Sequence, residues 1–161
     1  MKLKGVKILQ TLAIIMQLLV VLIIVAMTMA QSTIKQMYIS DTDVAEYWSI
    51  PIEELLRAIP LLLIYIIGMA VMSHIDASAA KTKAITFAVL ACIWQVISRY
   101  SSLITVLIAK KQGEIALISY STLSGAIAQL TIPFTWVAFA LFCVACGGYP
   151  GALKEEGLVN V

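Results

Sequence analysis

Cys92, Gln95, Arg99 and Ser102 recur at intervals of three and four within FAVLACIWQVISRYSSLITVLIAK, residues 87–110, a run apolar enough to cross a membrane. On a helix that spacing predicts one polar stripe, with Ser98, Ser101 and Thr105 beside it and Val89, Ile93, Ile97, Ile104 and Ile108 opposite. Polar groups on a spanning helix face protein or water, not acyl chains. Arg99 is the charged member of the stripe, and no acid lies between Asp76 and Glu114 to neutralise it. It precedes Lys110 by eleven residues, which places it about 16 Å from that end of the helix. Helical side chains lean toward the N-terminus, so reaching up to the Lys110 end is disfavoured. An unaided central arginine costs about 2.5 to 3.5 kcal/mol on insertion scales. The charge therefore needs help from inside the bundle.

Helpers are available at several depths. The fourth apolar segment carries Ser119, Tyr120, Ser121, Thr122, Ser124, Gly125 and Gln129, and Pro133 cannot donate to the Gln129 carbonyl. Gln10, Gln17, Ile24 and Thr28 approximate one face of the first segment. Glu54, Ala58, Leu61, Tyr65, Gly68 and Met72 approximate one face of the second, and Glu54 is the nearest acid able to fold inward toward Arg99. Arg99, Gln95, Gln129, Ser124, Gln17 and Glu54 are thus the candidate ligand-binding or polar-core residues. Two readings stay open. In one, the arginine locks four helices together through amides, carbonyls and Glu54, aided by close approach at Gly68, Ala88, Ala91 and Gly125. In the other, it binds an anion or solute in a water-filled vestibule open to the outside. No gapless ladder of titratable groups exists, which argues against a proton pump.

The elements that must position these residues follow from composition. The chain has 161 residues, 61% hydrophobic and 12% charged, whereas a soluble domain is ~25% charged. It reads as a single all-α, integral membrane four-helix bundle, with spans at about 8–30, 52–74, 84–109 and 115–146. Strand alternation is absent, and lipid demands that each span satisfy its own backbone, so the spans are helices. The first resembles a signal peptide in its basic MKLKGVK start, but its apolar run exceeds the ~7 to 15 residues of a signal core and reads as a retained anchor. Lys2, Lys4, Lys7, Lys81 and Lys83 place both termini in the cytoplasm by the positive-inside bias, with Lys110 and Lys111 against it.

An outer loop, 31–51, and a cytoplasmic tail, 147–161, complete this layout. The loop is acidic through Asp41, Asp43 and Glu46, with Tyr47 and Trp48 as an interfacial anchor. That loop is either a docking surface or a solvated cap. Ser49 before Ile50-Pro51 predicts a helix start, with Glu53 and Glu54 in its first turn and Glu53 paired to Arg57 four residues on. Pro60 predicts a kink. Gly147-Gly148-Tyr149-Pro150-Gly151 predicts a helix stop, leaving a tail able to dock against the bundle.

Other chemistry is thinly supported. Cys143 and Cys146 form a C-x-x-C pair that would suit a membrane thiol oxidoreductase of the vitamin K epoxide reductase kind, but such enzymes relay through further cysteines and only Cys92 remains. Small buried cysteines are the plainer account. Zinc lacks a nearby histidine, and His74 with Asp76 fits a solvated helix end. Trp94 and Trp136 read as packing residues. No phosphate loop, dinucleotide fingerprint or protease motif is present, so no metal, no cofactor and no enzymatic activity are expected. A net charge of +2 without clustering excludes nucleic acid as a partner.

Ile59-Pro60 near the start of the second span, His74-Ile75-Asp76 after it, and the tail residues Gly151, Leu153, Glu155, Glu156, Leu158 and Val161 resemble the YoaS-like family of small four-span bacterial membrane proteins. Asn160 stands where that family has threonine, and the loop after Asp76 lacks its phenylalanine. The resemblance implies a multi-pass protein of the bacterial cytoplasmic membrane with no known activity. Together these features lead to the expectation of a non-enzymatic accessory, regulatory or immunity-type protein acting on another membrane component or as a homo-oligomer in the bilayer. The alternatives are a small oligomeric transporter or channel with a site around Arg99, and the thiol oxidoreductase.

Overall fold

A computed structural model describes residues 2–38, 49–73, 79–112 and 114–157. The described residues form four long helices, α1 (Leu3–Tyr38), α2 (Ser49–Ser73), α3 (Ala80–Gln112) and α4 (Glu114–Glu155). All four are long and apolar enough to cross a membrane, over Leu3–Ala30, Ile52–Ser73, Ala80–Ser101 and Gly125–Glu155. Their outer faces are a belt of exposed aliphatic side chains that includes Ile8, Ile15, Leu22, Leu63, Ile67, Ile93, Ile97 and Val144. An aqueous protein would not leave such a belt uncovered. The acidic residues Asp41, Asp43 and Glu46, the Tyr47-Trp48 pair, and His74 and Asp76 lie outside the described residues.

Consecutive helices run in opposite directions. Gln10 of α1 meets Met72 at the end of α2 while Gln17 meets Ala58 nearer its start. The Leu3 amide donates to Glu156 across 3.3 Å, so the start of α1 and the end of α4 lie together. α1 and α3 each pack on α2 and α4 and occupy opposite corners of the bundle. The other diagonal closes at Gly68 of α2, where a Cβ would stand 2.9 Å from Phe142 Cζ and 3.1 Å from Phe87 Cδ1. A Cβ there would force one or both rings to shift. Tyr65 stacks on Phe142 just beyond, with centroids 4.4 Å apart.

Spacing explains which faces turn inward. On α1 the buried line is Leu3, Val6, Gln10, Ala13, Gln17, Val20 and Ile24, alternating steps of three and four. On α2 it is Ala58, Leu61, Tyr65, Gly68 and Met72, as the sequence predicts. On α3 the line is Ala80, Ala84, Ala91 and Gln95, with Ala88 and Ser98 half-buried. The predicted stripe is thus turned by about one residue: Gln95 points inward, but Cys92 and Arg99 are exposed. Small alanines set this phase, because they let α3 approach its neighbours closely.

Helix boundaries depart from expectation in two places, at the ends of α1 and α4. α1 continues to Tyr38, eight residues into the expected loop. α2 begins at Ser49 as expected, which puts Glu53 and Glu54 in its second turn, not its first. α4 runs straight through Gly147, Gly148, Pro150 and Gly151 to Glu155. The local stop signals are overridden by packing: Tyr149, Ala152 and Leu153 are buried, and the Tyr149 hydroxyl donates to the Met72 carbonyl. The true cap is Gly157, whose left-handed φ of 69° lets its amide donate to the Lys154 carbonyl.

Candidate functional site: a charged cavity inside the bundle

One wall is built on the turn of α2 that precedes Pro60. The carbonyls of Arg57 and Ala58 in that turn accept hydrogen bonds from Trp94 Nε1 at 2.8 Å and from Gln17 Nε2 at 3.0 Å. Side chains of α3 and α1 are thereby drawn to α2 at one level.

At that level a cavity of about 130 Å³ opens between all four helices. Its polar lining is Gln17, Glu54, Arg57, Gln95, Ser98, Arg99, Thr131 and Thr135, and its apolar lining includes Val20, Ile24, Leu61 and Ile132. It lies in the half of the bundle away from the termini. The terminal half is filled by the main apolar cluster, from Tyr65, Ala91 and Phe142 down to Leu3, Tyr149 and Leu153.

Of the two arginines at the cavity, Arg57 is the less exposed, with 14% of its side chain accessible. Its guanidinium contacts Glu54 at 2.6 Å and Glu53 at 3.4 Å, and its Nε donates to Ser101 Oγ at 3.1 Å. The expected Glu53–Arg57 pair is present, but the shorter contact is three residues apart rather than four. Glu54, 19% exposed, takes Arg57 as its hydrogen-bonding partner and feels Arg99 as a second, more distant positive charge. Arg99 stands at the cavity edge, its guanidinium carbon 5.7 Å from the centroid of the exposed Trp136 ring. Phe139 meets the other side of that ring edge-on.

Three buried side-chain atoms among the described residues have no hydrogen-bond partner: the Tyr65 hydroxyl in the apolar half, and one atom on each of two amides at the cavity. Gln17 is fully buried and Gln95 is 6% exposed. Because Gln17 Nε2 donates to the Ala58 carbonyl, its orientation is fixed and Oε1 remains an acceptor without a partner. Gln95 Nε2 is likewise a buried donor without a partner. Hydroxyl hydrogens here are already used within their own helices: Ser98 donates to Gln95, Thr131 to Ile127 and Thr135 to Thr131 carbonyls. Their oxygens keep lone pairs able to accept.

Of the six sequence candidates, Gln17, Glu54, Gln95 and Arg99 come together around this cavity. Gln129 is exposed and does not line it, and the Ser124 side chain lies outside the described residues. Sequence reasoning missed Arg57 as the better-buried cation. The available signal was the acid pair three and four residues before it, which supplies the countercharge that Arg99 lacks locally.

The cysteines form no disulfide. Cys143 lies within hydrogen-bonding reach of Cys92 across the α3–α4 contact, while Cys146 is buried. No group of His, Cys, Asp and Glu able to hold a metal occurs among the described residues. Comparison of the chain with family models, curated proteins and solved structures finds no match.

Proposed function

We propose that this is a non-enzymatic, multi-pass protein of the bacterial cytoplasmic membrane, with both termini inside, that binds a small polar solute from the outer side and acts as an accessory or regulatory partner of another membrane component. The observation that carries the reading is the cavity itself. Its two buried amides have groups without partners, and a native bundle retains such groups at a price in stability that a ligand can offset. The closed terminal half favours a binding site over an open pore, since Tyr65, Phe142 and the alanine-rich core fill the path below the cavity. The orientation rests on the lysines at the chain start and in the turn before α3, and the bacterial setting on the resemblance to the YoaS-like family.

The test uses the full chain in lipid nanodiscs and, separately, in sealed liposomes. Trp94 and Trp136 flank the cavity and report binding by fluorescence, with Trp48→Phe removing the loop background. Saturable binding of a small polar solute without protein-dependent flux of that solute supports the reading. Flux that follows the amount of protein and disappears in Gln95→Met would replace it with a small, oligomeric transporter. Absence of binding across neutral, anionic and cationic solutes would overturn both.

A further inference from the structure

The solute class follows from the donors, acceptors and charges that face the cavity, an inference that rests on the proposed binding role. Two cations, Arg57 and Arg99, are balanced by Glu54 and by Glu53 bonded to Arg57. A charge-balanced, largely buried site gives an ion no net compensation for leaving water. Among the neutral groups, acceptor atoms outnumber donor atoms left without a partner: Gln17 Oε1 and the oxygens of Ser98, Thr131 and Thr135 line the cavity with one unpartnered amide nitrogen, Gln95 Nε2. The volume, about 130 Å³, is a little below that of a cavity known to hold benzene, so roughly four to six non-hydrogen atoms fit.

We propose that the cavity binds an uncharged solute richer in hydrogen-bond donors than acceptors, of the short amide or urea class. Its N–H groups donate to Gln17 Oε1 and to the Thr131 or Ser98 oxygen, and its carbonyl accepts from Gln95 Nε2. Each orphaned amide atom then gains the partner it lacks. Arg57 and Glu54 are kept on each other and hold the wall in place.

Acetamide and acetate are near-isosteric probes that differ in charge, methylammonium is a smaller cation, and each carries one methyl whose protons report contact by saturation-transfer NMR. In nanodiscs, acetamide should bind saturably and at least about tenfold more tightly than acetate or methylammonium. Gln17→Met and Gln95→Met should each weaken acetamide by about tenfold or more, because a buried hydrogen bond is lost. Thr131→Val provides a third variant should either glutamine change impair folding, which circular dichroism and elution as a single species would reveal. Acetate or methylammonium binding more tightly than acetamide overturns the inference while leaving the binding role intact. Acetamide binding that is indifferent to all three variants overturns the assigned contacts. No binding by any probe sinks the inference together with the role it rests on.

Discussion

Gln95→Met separates a binding amide from a structural one. If Gln95 is glue between helices, removing its amide loosens the bundle; if it awaits a solute, removing it relieves a buried donor. The side chain is 6% exposed and its Nε2 has no partner. A buried donor left unmade costs about 1 to 3 kcal/mol, and methionine is close to glutamine in length and adapts to irregular space. Allowing for imperfect packing of the thioether, the substitution should stabilise the protein without ligand by about 1 to 2 kcal/mol. At about 2 to 4 °C per kcal/mol for a chain of this size, Tm should rise by roughly 2 to 8 °C. Gln17→Met is the control. It relieves the orphaned Oε1 but loses the 3.0 Å bond to the Ala58 carbonyl, and an interhelical bond of that kind averages about 0.6 kcal/mol. The two effects oppose, so Gln17→Met should stay within about 1 kcal/mol of the parent. The assay is thermal unfolding in nanodiscs followed by circular dichroism, with and without acetamide. Saturating solute at a hundred times its Kd should add about 2.7 kcal/mol to the parent and much less to Gln95→Met. A fall in Tm of several degrees for Gln95→Met without solute would refute the reasoning, because it would mean the amide already holds the structure together.

Three further outcomes follow from the same geometry. Arg57→Met should destabilise the fold by about 3 to 5 kcal/mol, because it strands the Glu54 carboxylate 2.6 Å from where its partner stood; Arg99→Met should cost less, because that arginine is exposed, with the cation–π contact with Trp136 contributing about 0.5 to 1 kcal/mol. A loss for Arg99→Met as large as that for Arg57→Met in denaturant unfolding would refute the assignment of Arg57 as the better-buried and more tightly paired cation. Gly68→Ala should destabilise by up to about 2 kcal/mol, since overpacking against Phe142 and Phe87 outweighs the better helix propensity, and Phe142→Leu should recover part of that loss in the double variant. Leu153→Ala should cost about 2 kcal/mol or more by the same assay because the side chain is fully buried in the continued α4; a change below about 0.5 kcal/mol would mean the segment is a solvated tail.

The bundle is legible because an apolar run of membrane-crossing length admits one backbone solution, and the inward faces of α1 and α2 follow from the three-and-four spacing of Gln10, Gln17 and Ile24 and of Leu61, Tyr65 and Met72. The phase of α3 is harder, since both faces of that helix are apolar enough for lipid and the choice falls to the alanines, whose signal is the absence of bulk. The same limit explains Gly147 to Gly151: glycine and proline report what the backbone permits locally, while Tyr149 and Leu153 report what a neighbouring helix rewards, and a single chain read in order shows the first more plainly than the second.

Arg99 and Arg57 carry the most instructive exchange. A lone arginine amid apolar residues draws notice because nothing beside it in sequence compensates its charge; an arginine three and four residues after two acids looks like an ordinary exposed helix pair. Burial inverts the expectation. A cation can be carried inward when its countercharges travel on the same helix, as Glu53 and Glu54 do for Arg57, since desolvation then acts on a pair already formed. A cation without such companions stays where it can reach the edge, as Arg99 does over Trp136. In a bundle of this kind, the charge with neutralising partners on its own helix is the one that can move toward the core, and the charge without acids nearby on its own helix marks the rim of the polar space it borders.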